Sequence, residues 1–169
     1  LQSPQSPIVL LRPARSDRAQ AIARNVAPGN GRVGIMLPPT PLHLLLMSGH
    51  PDVALPQLDA IVLTSCNLSD EPICIDDEQL MANFGELADA FLMHNRRIHL
   101  PCDDSVVRVT TAQDGALPQH VRRSRGYAPT PLSIPHSVAP TLAVGGEIKT
   151  ALCAASGDRA WMSQHIGDT

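Results

Sequence analysis

A short apolar run that stops at a cluster of small polar residues is the strongest constraint on how this chain can fold. Residues 60–63 are Ala-Ile-Val-Leu, which is the pattern of a buried strand, and a segment with helical character begins at Asp76. Between them lies a group of small hydroxyl and amide side chains: Thr64, Ser65, Asn67 and Ser69. Such side chains between a strand and a helix are typical of a phosphate or nucleotide pocket. The alternative is that these side chains bind no ligand and only form a turn that caps the helix. We call residues 64–69 the polar turn.

The composition limits the classes of protein to which the chain can belong. Aromatic residues make up 2% and hydrophobic residues 43% of the 169 positions, so the expected core is aliphatic. The net charge of −3 argues against general nucleic-acid binding as the main task. No apolar run approaches the roughly 18 residues that span a membrane, and we expect a cytoplasmic protein with no membrane partner. The cysteines show no Cys-x-x-Cys pair, so we expect free thiols and no zinc site: Cys66, Cys74, Cys102 and Cys153.

The order of periodic segments predicts an α/β fold with a mixed sheet. The predicted strands are 7–11, 33–37, 61–64, 88–94, 105–111 and 117–123. The predicted helices are 17–27, 42–47 and 76–84. Asp114-Gly115 is a hairpin signature between the last two strands.

The composition changes after residue 126. Four prolines between residues 127 and 140 predict a semi-rigid linker or a surface crossover, and short strands follow at 141–144, 150–155 and 159–162. We expect turns at Gly145-Gly146 and at Gly157-Asp158. Three short strands are too few to stand alone in water, so we expect the chain to continue past Thr169. The predicted organisation is a domain over 1–130, a linker over 131–140 and the start of a second domain over 141–169.

Several charged residues are further candidates for a site. Arg123 and Arg125 could clamp a phosphate through their planar guanidinium groups, or could form a solvated strand end or an RNA-binding patch. Asp103 and Asp104 could bind Mg²⁺ near phosphates, although a turn cap is the preferred interpretation. Lys149 follows the Gly145-Gly146 turn, where a backbone can approach a phosphate.

Seven segments together match the motifs of one known family: VGIMLPPTPLH (33–43), TSCNLSDEPI (64–73), ADAFLMHNR (88–96), CDDSVVR (102–108), RRSRGYAP (122–129), LAVGGEIK (142–149) and SQHIGD (163–168). They cover nearly the whole chain in the family's order. The chain thus resembles the HypF-type carbamoyltransferases of hydrogenase maturation. The resemblance implies that residues 1–130 form the later part of a YrdC-like domain, a twisted open sheet with flanking helices. Residues 141–169 would then be the opening strands of an actin/sugar-kinase-like domain.

The resemblance also implies an activity. Members of this family form carbamoyl-adenylate from ATP and carbamoyl phosphate, with Mg²⁺, and pass the carbamoyl group to the carboxyl-terminal cysteine of a HypE-type protein. Zinc and the metal site of the final domain are expected in parts of the family that lie outside this chain. A fragment of this kind is expected to be inactive alone.

The nucleotide-site residues follow from the same resemblance. The family's Ser-x-Asn motif corresponds to Ser65 and Asn67, next to Thr64. The same pocket would take cationic charge from Arg123 and Arg125, and Lys149 would face a nucleotide in the next domain. No catalytic residue and no metal ligand is assigned. The alternatives are a non-catalytic double-stranded RNA-binding module and an inactive remnant of the enzyme.

Three departures from the family pattern bear on this assignment. Cys66 stands where the family has glycine. A cysteine at this position would be strained if the backbone needed a positive φ. Pro39 replaces a tyrosine, and Thr150-Ala151 replaces Asn-Thr after Lys149.

Overall fold

Two compact units, each with its own sheet, make up the computed structural model of this chain. The structure describes residues 1–14, 25–50, 52–53, 57–69, 71–112, 115–146 and 150–166. The first unit consists of Leu1–Leu63 and Asp104–Tyr127, and the second of Thr64–Asp103 and Ala128–Thr169. The predicted mixed α/β fold is confirmed.

The first unit is organised by a mixed four-stranded sheet. Its strands are β1 (Ile8–Leu11), β2 (Val33–Ile35), β3 (Val106–Ala112) and β4 (Gly115–Arg122), in the order β2-β1-β3-β4. β1 runs parallel to β3, whereas the β1–β2 and β3–β4 pairs are antiparallel. The two central strands are therefore far apart in sequence and adjacent in space.

The centre of the core lies where these two strands meet. Val9 and Val107 are direct partners in the parallel register, and they are 5% and 4% exposed. β-branched side chains such as these pack well against neighbours on a pleated sheet surface. Among the described apolar residues with large side chains, these two valines are the ones classed as fully buried.

The β3–β4 hairpin confirms the pairing expected around Asp114-Gly115. Ala112 pairs with Gly115, whose φ is +122°, and the two turn residues 113–114 lie outside the described residues. Pro118 is accommodated in β4 because that strand lies at the edge of the sheet.

Both described helices lie where helices are predicted, and each begins after a polar capping residue. α1 (Pro41–Ser48) starts after Thr40, whose side chain accepts a hydrogen bond from the His43 amide at 3.4 Å. α2 (Asp77–Phe84) starts after Asp76, whose carboxylate accepts from the amides of Glu78 and Gln79 at 2.9 and 3.1 Å. Polar caps satisfy amides that have no partner within the helix. The predicted helix over 17–27 falls mostly outside the described residues, and residues 25–27 are not helical.

A long antiparallel hairpin forms the sheet of the second unit. β5 (Leu132–Val144) pairs with β6 (Leu152–Met162), so residues 132–140 form a strand where the sequence suggests a linker. The register shifts between Ser133 and Val138 and again between Val138 and Thr141, and Pro135 and Pro140 fall in these irregular stretches. Proline lacks an amide donor and is tolerated where the ladder is interrupted. The predicted turn at Gly157-Asp158 is wrong, because Gly157 lies within β6 opposite Val138.

Two predicted strands, 61–64 and 88–94, do not form. Both segments are irregular, and Val62 is 78% exposed. A strand needs a neighbouring strand for its amides and carbonyls, and an apolar run specifies no such neighbour. Among the described residues, no helix has both the length and the apolarity required to cross a bilayer.

We expect Val107→Ala to lower the free energy of unfolding by about 2 kcal/mol, because it removes two buried methyl groups and leaves a cavity. Val109→Ala is the matched control, since Val109 lies in the same strand and is 45% exposed. Urea unfolding followed by far-ultraviolet circular dichroism measures both. Equal losses for the two variants would contradict the position of the core.

Candidate functional site

The polar turn is held together by its own side chains. The Ser65 hydroxyl donates to Asn67 Oδ1 at 2.5 Å, and Asn67 Nδ2 donates to the Leu68 carbonyl at 2.9 Å. The Asn67 amide also donates to the Ser65 carbonyl at 3.2 Å. Thr64 and Ser65 are exposed and Asn67 is half-buried, so these polar groups are accessible from solvent. The turn therefore offers oriented hydroxyl and amide groups that are not covered by apolar side chains.

A backbone hydrogen bond closes the loop that contains the turn. The Cys74 amide donates to the Cys66 carbonyl at 2.8 Å, and within the loop the Glu71 amide donates to the Leu68 carbonyl at 3.1 Å. Among the described residues, Ser6 is the non-glycine residue with a positive φ. Cys66 therefore fits its backbone position without the strain considered from the sequence.

The environment of Cys66 disfavours its thiolate. Partial burial, and then the neighbouring thiol of Cys74, raise the pKa of Cys66 above its ordinary value. Since the thiolate is the nucleophilic form, this argues against a role for Cys66 as a nucleophile at neutral pH.

Arg125 is held in an ion pair in the first unit. Its Nε donates to Asp104 Oδ1 at 2.6 Å, and Nη2 lies 3.4 Å from the Ser6 carbonyl and 3.6 Å from Met36 Sδ. The side chains of Arg125 and Asp104 are 34% and 33% exposed. Because the carboxylate balances the guanidinium charge, this side chain presents less net charge to an anion than a solvated arginine does. Its role at a phosphate stays a prediction.

Two buried serines support the segment that carries these arginines. Ser105 is 1% exposed and Ser124 is 0% exposed. The Ser105 hydroxyl donates to the Arg125 carbonyl and accepts from the Ser124 amide, both at 2.8 Å. The next residue, Gly126, has φ +85°, and a Cβ there would collide with the Gln5 carbonyl. The path of residues 124–126 is thus set by a buried hydroxyl bridge and by a close approach that requires glycine, and neither was anticipated from the sequence.

Arg123 lies just beyond β4, which ends at Arg122, so the strand does not extend over Arg123 and Arg125. The rings of His120 and Tyr127 meet edge to face, with centroids 4.4 Å apart. Desolvation, and then the positive charge of half-buried Arg123, lower the pKa of His120. Arg123 is therefore close enough to His120 for its charge to act on the imidazole.

A hydrogen bond between a histidine and an aspartate lies in the second unit. His165 Nδ1 and Asp103 Oδ2 are 2.9 Å apart, with side chains 17% and 11% exposed. The Asp103 and Asp104 carboxylates therefore contact different partners, His165 and Arg125. Among the described residues, no group of three or more His, Cys, Asp or Glu side chains could hold a metal ion. Sequence reasoning missed the His165 pair because its partner is 62 positions away.

Lys149 lies outside the described residues, so its predicted role is not described structurally. The flanking turn is closed by the Gly145 amide, which donates to the Ala151 carbonyl at 3.0 Å. The Thr150 hydroxyl donates to the Gly146 carbonyl.

Two family models match consecutive parts of the chain. Residues 1–124 match the Sua5/YciO/YrdC family, described as telomere recombination. Residues 136–169 match the HypF Kae1-like domain. The first match covers well over half of the chain.

Individual relatives give the same result. The carbamoyltransferase HypF of Synechocystis sp. is 41% identical over an alignment of 169 positions, which covers 99% of this chain and 20% of the relative. A crystal structure of full-length HypF in a phosphate- and nucleotide-bound form matches with a TM-score of 0.76 and 38% identity, over 99% of this chain and 24% of that one. The structure of T. kodakarensis HypF matches with a TM-score of 0.74 and 33% identity, over 98% and 20% of the two chains. The chain spans about a fifth of the length of the curated relatives it matches.

Ser105→Ala should lower the free energy of unfolding by about 2 kcal/mol, because it leaves the buried Ser124 amide and the Arg125 carbonyl without their hydroxyl partner. Ser133→Ala, at an exposed position of β5, should change it by less than about 0.5 kcal/mol. Chemical denaturation measures both variants. Comparable stability of Ser105→Ala and the parent chain would show that the hydroxyl bridge is dispensable.

Arg123→Gln should raise the pKa of His120, because it removes a positive charge that disfavours the imidazolium. Desolvation remains, so the pKa should stay below the ordinary value of about 6.5. A lowered pKa means that the stabilisation linked to neutral His120 is present above that ordinary value and is lost as the pH falls through the folded-state pKa. A titration of the imidazole protons by nuclear magnetic resonance measures the shift. Arg159→Gln in β6 is the control, and an unchanged His120 pKa in Arg123→Gln would refute the coupling.

Proposed function

The chain belongs to the Sua5/YciO/YrdC family, in the form found in HypF carbamoyltransferases, and on this basis we propose that it is the nucleotide-binding segment of such an enzyme. The proposed reaction has three stages. Water first cleaves the carbamoyl donor, carbamoyl phosphate, into carbamate and inorganic phosphate. A carbamate oxygen then attacks the α-phosphorus of ATP, and pyrophosphate leaves. The resulting carbamoyl-adenylate then passes its carbamoyl group to a cysteine thiol at the carboxyl terminus of a HypE-type partner, which releases AMP.

The observation that carries this proposal is the geometry of the polar turn. Ser65 and Asn67 hold each other through a 2.5 Å hydrogen bond while they remain accessible to solvent. Forming an acyl-adenylate depends mainly on positioning the phosphates and stabilising their charge. Donors that are oriented before the ligand arrives require little reorganisation on binding. The Ser65 hydroxyl can rotate from Asn67 to a phosphate oxygen, and the second amide proton of Asn67 can donate beside it.

The three basic residues proposed to contact the nucleotide differ in the observations that favour them. Arg125 is oriented by Asp104 and by the Ser6 carbonyl, so in this proposal it contributes a fixed donor array more than net charge. Arg123 is half-buried beside His120 and acts on the charge of that ring, and we keep it as a second proposed phosphate contact. We keep Lys149 as a proposed nucleotide contact of the domain that begins after residue 140.

Mg²⁺ in the proposed reaction would neutralise and bridge phosphate oxygens of the nucleotide. The described residues contain no group of three or more metal-binding side chains. Mg²⁺ at nucleotide sites is commonly held by phosphate oxygens and waters with one or two carboxylates. We therefore assign no residue of this chain as its ligand and propose that the ion would enter with ATP.

In full-length enzyme, Asn67→Ala should abolish the carbamoyl-dependent release of AMP and pyrophosphate, because it removes both amide donors and the acceptor that orients Ser65. Asn83→Ala, on α2 and outside the polar turn, should retain near-parental release. A coupled pyrophosphate assay with carbamoyl phosphate as the donor measures both. Unchanged release by Asn67→Ala would remove this residue from the mechanism. Filter binding of a labelled RNA duplex at several salt concentrations tests the alternative function, since phosphate contacts give a steep salt dependence.

A further inference from the structure

We propose that Cys66 and Cys74 are a redox modification site, at which a disulfide forms across the base of the polar turn. The assignment rests on the placement of the two residues and does not depend on the proposed nucleotide function. Its consequence for Asn67, discussed below, does depend on that function.

The backbone already brings the two cysteines to disulfide range. The Cys74 amide donates to the Cys66 carbonyl at 2.8 Å. With standard bond lengths, an amide-to-carbonyl contact of this length holds the two Cα atoms at most about 6.7 Å apart. Disulfides span Cα separations of about 4.4–6.8 Å, so this backbone contact keeps the pair within disulfide range.

The side chains are accessible and lie close enough to interact. Cys66 is exposed and Cys74 is half-buried. The Cys74 thiol contributes to raising the pKa of Cys66, which is the effect expected of neighbouring thiols. Cys74 Sγ donates to the Asp76 carbonyl at 3.3 Å and lies 3.7 Å from Gln79 Oε1. Thiols are weak donors, so giving up these contacts costs little.

The other two cysteines have different surroundings. Cys102 Sγ lies 3.9 Å from Gln164 Oε1, and Cys153 lies in β6 opposite Ala143. They provide internal controls for thiol reactivity in the same chain.

The oxidant would be a small disulfide of the glutathione type. The thiolate of one cysteine attacks a sulfur of the small disulfide and releases one small thiol, which leaves a mixed disulfide on the protein. The second cysteine then attacks the protein sulfur and releases the second small thiol. Two protein thiols are oxidised by two electrons, and the small disulfide is reduced to two thiols. With Cys66 as the attacking thiol, the rate should rise as the pH rises from neutral, because its raised pKa leaves this thiol mostly protonated at neutral pH.

The bond would close a covalent ring over residues 66–74, which includes Asn67 and ends two residues before the Asp76 cap of α2. If the proposed nucleotide function is correct, oxidation changes how far Asn67 can move on binding. This deepens the proposed function and is tested separately from it.

The experiment treats the full chain with oxidised glutathione at mildly alkaline pH without denaturant, then titrates thiols. The parent chain should fall from four reactive thiols to two. Cleavage at Glu71 places the two cysteines in separate peptides, which should remain joined until a reductant is added. Cys102→Ser should fall from three thiols to one, whereas Cys66→Ser should form no internal disulfide with Cys74.

Three results would overturn the proposal, and each is read from the parent chain without any variant. They are four titratable thiols after treatment, a linkage that contains Cys102 or Cys153, and stable mixed disulfides at Cys66 or Cys74 that never resolve. None of these outcomes bears on whether Asn67 binds a nucleotide, because that is measured by pyrophosphate release in reduced enzyme.

Discussion

The parallel pairing of β1 with β3 is the constraint on which the first unit depends. It joins residues 8–10 to residues 106–108, which lie almost one hundred positions later in the chain. Val9 and Val107 are buried at this junction, and the Ile8 amide donates to the Ser105 carbonyl at 2.8 Å just before it. The same alignment brings Ser6 to the guanidinium of Arg125 and Gln5 to Gly126. The arginine-bearing segment is therefore positioned by the first few residues of the chain, and its geometry depends on a contact made early in the sequence.

The second unit uses local interactions to present its polar groups. The polar turn satisfies its own donors through Ser65, Asn67 and the Leu68 carbonyl, and the Asp76 carboxylate satisfies two amides of α2. Such short-range hydrogen bonds cost little chain entropy because the partners are already near each other. A segment with little regular structure can in this way hold side chains in defined positions. Exposure of these groups is compatible with ligand binding, since oriented and accessible donors are what a phosphate requires.

The parts of this structure that could be predicted from the sequence are those with short-range causes. Thr40-Pro41 and Asp76 mark helix starts because a cap is a contact within three residues, and the β3–β4 hairpin follows from alternation on both sides of Asp114-Gly115. The prediction of a buried strand at 61–64 was wrong, because a strand needs a partner strand and the apolar residues of this segment do not specify one. The prolines of residues 132–140 led to the prediction of a linker, because proline is disfavoured in a strand. In the structure, the hydrogen-bonded pairing of β5 with β6 is interrupted at Pro135 and Pro140, so the strand tolerates them. At the candidate site, the polar turn was identified, but the partners of Asp103 and Arg125 were not. His165 lies 62 positions from Asp103, and Asp104 and Ser6 lie 21 and 119 positions from Arg125.

The contact between Asp103 and His165 has a consequence for how this protein can evolve. Asp103 belongs to the stretch that matches the YrdC-type family, and His165 belongs to the stretch that matches the Kae1-like domain. Domain shuffling usually recombines genes at boundaries between such stretches. A crossover between residues 124 and 136 would supply one of these side chains from a different parent and would leave a largely shielded carboxylate against a foreign surface. The two stretches are thus expected to be inherited as a matched set, and a hybrid gene would need a compensating change at one of these two positions.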